Sequence, residues 1–230
     1  MCKIIVMANQ KGGVAKTSST RNLAYSLAEL GKKVLAVDFD PQTNLTISFG
    51  VAPAALQETA ASLMMKLVMD EVLPEKASYI LNIGKVDLLP SKKTLTVAEV
   101  DTGPSLGSLT INAFTAADEI IIPVDPELFA LVGLKELTET ISKIKQNLNP
   151  KVEIIGILFT KCSKRTTLYR QTSEQVRSVF GHLPIFESQI PATVQVGTAN
   201  SKGLSVMELD AKSPAAAAYM NLAKEVLAYA

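Results

Sequence analysis

The sequence has few of the residues that build metal centres and disulfide frameworks. Among its 230 residues there are two cysteines and one histidine, and Cys2 and Cys162 stand far apart, without a CxxC or Cys/His spacing. This excludes the usual zinc and iron–sulfur motifs and a disulfide framework, and it suits a reducing cytosol. We therefore expect a cytoplasmic protein whose chemistry does not depend on cysteine.

An excess of charge of one sign and long apolar runs are also missing. Lys and Arg number 23 against 22 Asp and Glu, so no global field attracts nucleic acid or anionic lipid, and such binding would need a local patch. No apolar run approaches the roughly 20 residues that span a bilayer. The opening run at residues 4–8 is too short for a signal-peptide core. We expect a soluble globular protein that does not associate with a membrane.

Strands and helices alternate along the chain in a pattern typical of an α/β fold. Near-continuous apolar runs predict strands buried on both faces at residues 3–8 and 33–38, with a helix at helical apolar spacing between them, over residues 16–30. The same reasoning predicts strands over residues 86–89, 119–124 and 152–159 and helices over residues 134–148, 166–180 and 213–229. With no repeat and no linker, we expect one domain over residues 1–230, with a doubly wound, mostly parallel sheet and helices on both faces.

One connection is shorter than this architecture requires. Only about eleven residues lie between the strand predicted at residues 86–89 and Asp101, whereas a parallel crossover with its helix needs a dozen or more. Either residues 94–100 form an irregular strand, or the chain lacks a helix and a strand that such folds normally carry.

The turn after the first strand has the composition of a phosphate-binding loop. Gly12 and Gly13 let backbone N–H groups approach phosphates, and the N-terminus of the following helix supplies positive potential. Lys16 is placed to reach terminal phosphates, and the hydroxyl of Thr17 to bind Mg²⁺. The sequence therefore predicts a site for a nucleoside triphosphate at this turn.

This loop departs from the strict pattern G-x-x-x-x-G-K-[ST] at two positions, Gln10 and Ala15. If position 15 requires a positive φ, alanine there costs about 1–2 kcal/mol. If φ is negative, the methyl group needs only room. The sequence does not decide between these two cases.

Two carboxylates, Asp38 and Asp40, follow the second predicted strand. Positions i and i+2 of a strand point to the same side, and at the carboxyl end of a sheet such a pair can serve Mg²⁺ and an attacking water. Alternatively, the pair caps the turn that begins at Asp40 and Pro41.

Four segments together resemble the ParA/MinD family of ATPases, and the resemblance covers nearly the whole chain. Lys11-Gly-Gly-Val-Ala-Lys-Thr17 resembles the family's deviant Walker A motif KGGxGKT, and Val37-Asp-Phe-Asp-Pro-Gln-Thr-Asn-Leu45 resembles its VDxDPQGN stretch. Asp101-Thr-Gly-Pro-Ser-Leu-Gly107 resembles the family's DxPPSLG motif. Residues 189–214 resemble its adenine-side loop and the start of its closing helix. The chain is most similar to the partitioning branch, the ParA/Soj type. The resemblance implies a fold of the P-loop NTPase type.

The resemblance also implies roles for individual residues. Nucleotide binding would fall to the loop and to one proline near the adenine: Lys11, Gly12, Gly13, Val14, Ala15, Lys16, Thr17, Ser18 and Pro191. Three residues would act in catalysis: Lys11, Lys16 and Asp40. Lys11 would reach the phosphates of a partner subunit, and Asp40 would orient water. Three would lie at or near Mg²⁺: Thr17, Asp38 and Asp101.

The function implied by the resemblance is a dimerisation switch that binds and hydrolyses MgATP, slowly on its own, in plasmid or chromosome partition. Its cofactors are ATP and Mg²⁺, and its partners a second copy of the chain and a ParB-like centromere-binding protein. Nonspecific DNA binding is in doubt because Ala192 and Gln195 stand where the family usually carries arginines. Two alternatives remain open. The first is a nucleotide-binding regulator with weak or no catalysis, because Ala15 and the region before Asp101 depart from the family pattern. The second is a MinD-like membrane switch. The second is disfavoured because residues 225–230 lack a basic amphipathic character.

Overall fold

The computed structural model describes residues 2–92, 108–127 and 129–229, and within these ranges it shows an α/β fold. The described strands, in chain order, are β1 (Ile5–Met7), β2 (Leu35–Val37), β3 (Leu81–Ile83), β4 (Val86–Leu89), β5 (Glu119–Val124) and β6 (Glu153–Phe159). The described α-helices are α1 (Lys16–Glu29), α2 (Asn44–Ser48), α3 (Ala60–Val68), α4 (Ser108–Ala116), α5 (Ala130–Asn147), α6 (Thr167–Phe180), α7 (Val194–Ser201), α8 (Val206–Asp210) and α9 (Pro214–Ala228).

The strands pair in two groups of three. In the first group, with order β1-β5-β6, both pairings are parallel, and Val6 lies opposite Ile120. In the second, with order β2-β4-β3, β2 pairs with β4 in parallel and β3 with β4 antiparallel. The predicted α/β fold with a mostly parallel sheet is therefore confirmed.

Helices cover both faces of the first group of strands. Along β5, Ile120 and Ile122 pack into one core cluster with α5 and α6, whereas Ile121 packs into another with α1 and α9. All three isoleucines are fully buried. Alternate residues of a strand point to opposite faces, so a strand covered on both sides needs the continuous apolar run that the sequence shows here.

The prediction that the second strand is buried on both faces is wrong. In β2 only Ala36 is buried, while Leu35 is 50% and Val37 42% exposed. The reason is its position, since β2 is the outer strand of its group within the described residues and pairs there with β4 alone. Strand β1 is likewise outermost in its group and only partly buried. Residues 94–100 and Asp101 lie outside the described residues, so neither interpretation of the short connection is tested there.

The parallel strands bring several chain segments to one edge. The loop from β1 to α1, the segment after β2, and the segments after β5 and β6 all leave the carboxyl ends of their strands, where α/β sheets bind ligands. Within the described residues, no helix combines the length and the apolar character needed to cross a membrane.

Candidate functional site

The loop between β1 and α1 is held by hydrogen bonds from neighbouring strands. The side chain of Asn9 donates to the carbonyl of Pro123 (2.7 Å) at β5 and accepts from the backbone N–H of Lys11 (2.9 Å). The hydroxyl of Thr160, after β6, donates to the carbonyl of Val14 (3.1 Å). These contacts fix the loop over the carboxyl ends of two parallel strands.

Ala15 is the residue at which this loop becomes a helix. It is the N-cap of α1, with φ 62° and ψ 28°, and it has no side-chain capping hydrogen bond. The sequence left the sign of φ open, and the structure shows the strained case, which costs an alanine about 1–2 kcal/mol. The first N–H groups of α1 therefore lack a capping side chain and point, with the positive end of the helix dipole, at whatever binds in front of them.

Replacing Ala15 by glycine is expected to stabilise the protein. Relief of the left-handed strain is worth about 1–2 kcal/mol, and the greater freedom of glycine in the unfolded chain offsets about 0.4–1 kcal/mol of it. We expect the free energy of unfolding, measured by urea titration, to rise by about 0.5–1 kcal/mol.

The matched control is Ala217→Gly at an exposed position inside α9, which should lower the same free energy by about 1 kcal/mol. A loss of stability in Ala15→Gly, comparable to that of the control, would show that position 15 is not strained.

Lys16 places a partly desolvated cation within the loop. Its ammonium group donates to the carbonyl of Lys11 (2.9 Å), and this bond closes the loop across five residues. Burial lowers the pKa of Lys16, and the nearby carboxylate of Asp40 partly opposes this effect. Electrostatic attraction is stronger in such a half-buried position than at an exposed one, so the ammonium is well placed to bind an anion.

A cavity of about 430 Å³ opens in front of this loop. One part of its lining comes from the loop and the start of α1, with Gly12, Gly13, Ala15, Lys16, Thr17 and Ser18. A Cβ atom added at either glycine would meet no protein atom within 4 Å. The space that these two residues leave open is thus part of the cavity, where phosphate oxygens can approach the backbone.

Two further walls complete the cavity. On one side lie the polar residues that follow β2, namely Asp40, Gln42 and Asn44. A second wall belongs to the segment around the start of α7, where Ile190, Pro191, Val196 and Gly197 are nonpolar and Thr193 is polar. A ligand with a charged part and a flat apolar part fits this lining.

The two carboxylates after β2 differ in their surroundings. Asp38 is buried and does not line the cavity; one of its oxygens accepts from the N–H (2.7 Å) and hydroxyl (2.6 Å) of Thr46, and the other from the N–H of Asp40 (3.2 Å). Burial raises the pKa of Asp38, against the effect of these hydrogen bonds. Asp40 lines the cavity and also accepts from the N–H of Gln42 (2.9 Å).

The contacts of both carboxylates are those of the turn-capping alternative, and Asp40 additionally faces the cavity. Within the described residues, the hydroxyl of Thr17 and the carboxylate of Asp40 are the kind of oxygen ligands that Mg²⁺ prefers, and they border the same cavity. The metal role of Asp38 stays a prediction, and Asp101 lies outside the described residues.

Lys11 does not line the cavity of its own chain. Its ammonium group lies 2.5 Å from the carboxylate of Glu127, which follows β5, and this pairing lowers the pKa of Glu127. Both side chains are substantially exposed, and ion pairs of this kind contribute only about 0–1 kcal/mol. Lys11 can therefore exchange this partner at low cost.

Sequence reasoning missed Lys161, a cavity residue two positions after the end of β6. It has φ 50°, and its ammonium lies 3.2 Å from the carboxylate of Asp125. Thr43, the N-cap of α2, has φ 61°. Three of the four non-glycine residues with positive φ in the described part of the chain thus lie in or beside the cavity: Ala15, Thr43 and Lys161. Strained backbone tends to concentrate at ligand sites, but no composition pattern marks these positions in advance.

Comparison with known proteins shows which family the sequence of this chain matches. The family model described as "CobQ/CobB/MinD/ParA nucleotide binding domain" matches residues 5–206. The sporulation initiation inhibitor protein Soj of Bacillus subtilis is 35% identical, with 99% of both chains covered. The chromosome partitioning protein ParA of Caulobacter vibrioides is 32% identical over 98% of this chain and 94% of its own. The comparison with Soj extends over 253 aligned positions, more than the 230 residues of this chain, so some positions of that relative have no counterpart here.

A solved structure shows the same fold with a ligand. Cobyrinic acid a,c-diamide synthase from Mycobacterium smegmatis, with bound ADP and magnesium, is 30% identical, with a TM-score of 0.81 over 100% of this chain and 95% of its own. The same enzyme has also been solved with an ATP analogue and magnesium. A nucleotide and Mg²⁺ are thus the ligands found in a homologous structure.

Proposed function

Since this chain belongs to the CobQ/CobB/MinD/ParA nucleotide-binding family, we propose that it binds MgATP in the cavity before α1 and hydrolyses it. Two copies would associate when ATP is bound, and this switch would serve plasmid or chromosome partition. The single observation that carries the proposal is the cavity itself, with a free helix N-terminus, two open glycines and Lys16 in one part of its lining and an apolar wall in another.

The residues of the cavity divide the work of binding. Backbone N–H groups of Gly12, Gly13 and residues 15–18 would hold the phosphate oxygens, and Lys16 would add a cation at the terminal phosphates. Val14, also predicted to bind nucleotide, is buried and does not line the cavity. Pro191 and its apolar neighbours would cover the base. Mg²⁺, when bound by Thr17, would neutralise phosphate charge.

Hydrolysis would rest on positioning and charge stabilisation, as phosphoryl transfer generally does. Asp40, whose carboxylate faces the cavity, would orient the attacking water. Lys11, which lies outside its own cavity and pairs with an exposed glutamate, would reach the phosphates held by a second copy. A single copy would therefore turn over slowly.

The proposed partners follow from the relatives. Proteins named for chromosome partitioning are similar over almost the full chain, which supports a centromere-binding partner protein of the ParB kind. We assign no DNA contact to Ala192 or Gln195, because neither is charged and the amide of Gln195 donates to Asp210 (3.2 Å). Any DNA binding would depend on other cations and on salt.

Calorimetry and thermal unfolding with MgATP test the nucleotide site. A ligand at 100 times its Kd adds about 2.7 kcal/mol to the stability of the folded state. At about 2–4 °C per kcal/mol for a chain of this size, the Tm should rise by roughly 5–10 °C. ATP with excess EDTA is the control and should give a smaller shift. An absence of both heat and a Tm shift with MgATP would defeat the proposal.

A further inference from the structure

Arg21, on the second turn of α1, is a buried cation that the cavity does not use. Its side chain is 3% exposed, and one of its amino groups donates to the carbonyl of Gly203 (2.6 Å). The guanidinium carbon lies 4.5 Å from the ring centre of Phe49, and the carboxylate of Glu208 is 3.8 Å away. Burial lowers the pKa of Arg21 to about 10.

This arrangement does not favour stability. The Nε and Nη1 groups of Arg21 have no hydrogen-bond partner among the described residues. A buried charge with unsatisfied donors is costly, and replacing such a group by an apolar side chain of similar volume is often neutral or stabilising. Stability alone therefore does not explain why an arginine rather than an apolar side chain stands here.

The guanidinium lies where two helices end. Helix α2 ends at Ser48 and is followed by Phe49 and Gly50, and α7 ends at Ser201, two residues before Gly203. Helix C-termini carry partial negative charge, which attracts a cation.

The two glycines that follow these helices touch each other. Both Gly50 and Gly203 have positive φ, and a Cβ atom added at Gly203 would lie 2.8 Å from the Cα of Gly50. The ends of α2 and α7 are thus packed backbone against backbone beside Arg21.

The opposite ends of the same two helices border the cavity. Helix α2 begins at Asn44 in the polar wall, and α7 carries Val196 and Gly197 of the apolar wall. Arg21 itself belongs to α1, which carries the phosphate loop. Three sides of the cavity are therefore connected to one buried guanidinium that does not itself line the cavity.

We propose that Arg21 is a positioning residue that fixes the spacing between the polar wall at α2 and the apolar wall at α7, so that one ligand can contact both. The expected effect of Arg21 on nucleotide binding rests on the proposed function, but the spacing between the two walls is a property of the free protein. A ligand that touches both walls gains from their fixed separation, whereas a ligand that touches one wall does not.

Distance measurement by double electron–electron resonance tests the spacing without any ligand. Spin labels are placed at two exposed positions, Ile47→Cys on α2 and Thr198→Cys on α7, in a Cys2→Ser background. Cys162 is buried, and its pKa is raised to about 11, so it should not be labelled. The distance distribution should be narrow with Arg21 and broader or shifted in Arg21→Met.

The matched control for loss of packing is Ile141→Ala in α5, in the core cluster on the other face of the sheet. It should lower the Tm and leave the distance distribution narrow, while Arg21→Met changes the Tm by no more than about 2–4 °C. If Arg21→Met fails to fold, Arg21→Gln, which also removes the cation, replaces it with the same expected result. Equal distributions with and without the arginine would overturn the proposal.

A binding comparison provides the second test. In Arg21→Met the Kd for MgATP should rise about tenfold or more. Linking two binding contacts can increase affinity by roughly 10²–10⁴-fold, and the variant should lose part of that increase. The affinities for adenosine alone and for magnesium tripolyphosphate alone should stay the same. An equal loss for all three ligands would mean a general structural effect and would contradict the proposal. If the unsubstituted protein does not bind MgATP, the proposed function fails, and the distance measurement still decides the role of Arg21.

Discussion

Lys16→Ala is expected to abolish detectable MgATP binding and, with it, hydrolysis. The ammonium group of Lys16 lines the cavity, is partly desolvated and closes the loop through its bond to Lys11. A hydrogen bond to a charged group contributes about 1.5–3 kcal/mol, so two contacts with phosphate oxygens would account for a change of at least about 10²-fold in Kd. Calorimetry and phosphate release measure the two effects on the same samples.

The matched control for this substitution is Lys164→Ala, which removes an exposed lysine that does not line the cavity. It should leave Kd and turnover close to those of the unsubstituted protein. Equal affinity and turnover in Lys16→Ala and the unsubstituted protein would place the nucleotide elsewhere.

Lys11→Ala is expected to separate binding from hydrolysis. In its own chain Lys11 lies outside the cavity and contacts Glu127, so the Kd for MgATP should change by only a few-fold, within about 1 kcal/mol. Loss of a cation supplied by a partner subunit lowers phosphoryl-transfer rates by about 10³–10⁵-fold. Turnover per subunit should therefore rise with protein concentration in the unsubstituted protein and stay near background in Lys11→Ala.

Glu127→Gln is the control, because it removes the partner of Lys11 and keeps the lysine. Its turnover should equal or exceed that of the unsubstituted protein, since an exposed ion pair restrains the lysine only weakly. Turnover that is independent of protein concentration, with Lys11→Ala as active as the control, would exclude a role for this lysine in a partner's cavity.

The elements that sequence reasoning predicted well are those with long, regular apolar patterns. The sequence predicts a helix over residues 16–30, which is observed as Lys16–Glu29, and a strand over residues 119–124, which is observed as Glu119–Val124. Short elements such as α2 and α8, with five residues each, have too few residues to show a period. Contacts outside the element help to hold them, such as the bonds from Thr46 to Asp38 at α2 and the bond from the N–H of Val206 to the distant Asn22 at α8.

The candidate site was predictable only where a motif marks it. The sequence predicts a site at the loop and Pro191, and in the structure Gly12, Gly13, Lys16 and Pro191 line one cavity. The position of Lys161 in the cavity is not predicted, because a lysine that follows a strand is normally interpreted as an exposed loop residue. The backbone angle of Ala15 depends on how the loop is held by other strands, which local sequence does not report.

Arg21 shows a different limit of sequence reasoning. A charged residue in an amphipathic helix is normally assigned to the exposed face, yet the side chain of this one is only 3% exposed. Ser19 and Asn22 beside it are also buried, so the apolar pattern of Leu23, Leu27 and Leu30 marks only part of the buried face.

The polar face of α1 determines which parts of the molecule can move when a ligand enters. Ser19 bonds the hydroxyl of Tyr219 (3.3 Å), and Asn22 accepts from the N–H of Val206 (2.7 Å). Hydrogen bonds weaken steeply when their geometry changes, whereas apolar contacts tolerate sliding. Rotation of α1 about its axis would break several such bonds at once, so this helix and the loop before it form a fixed frame of reference. Because the same bonds hold α8 and α9 to α1, any closure around a ligand would come from segments that make no such bonds to this helix.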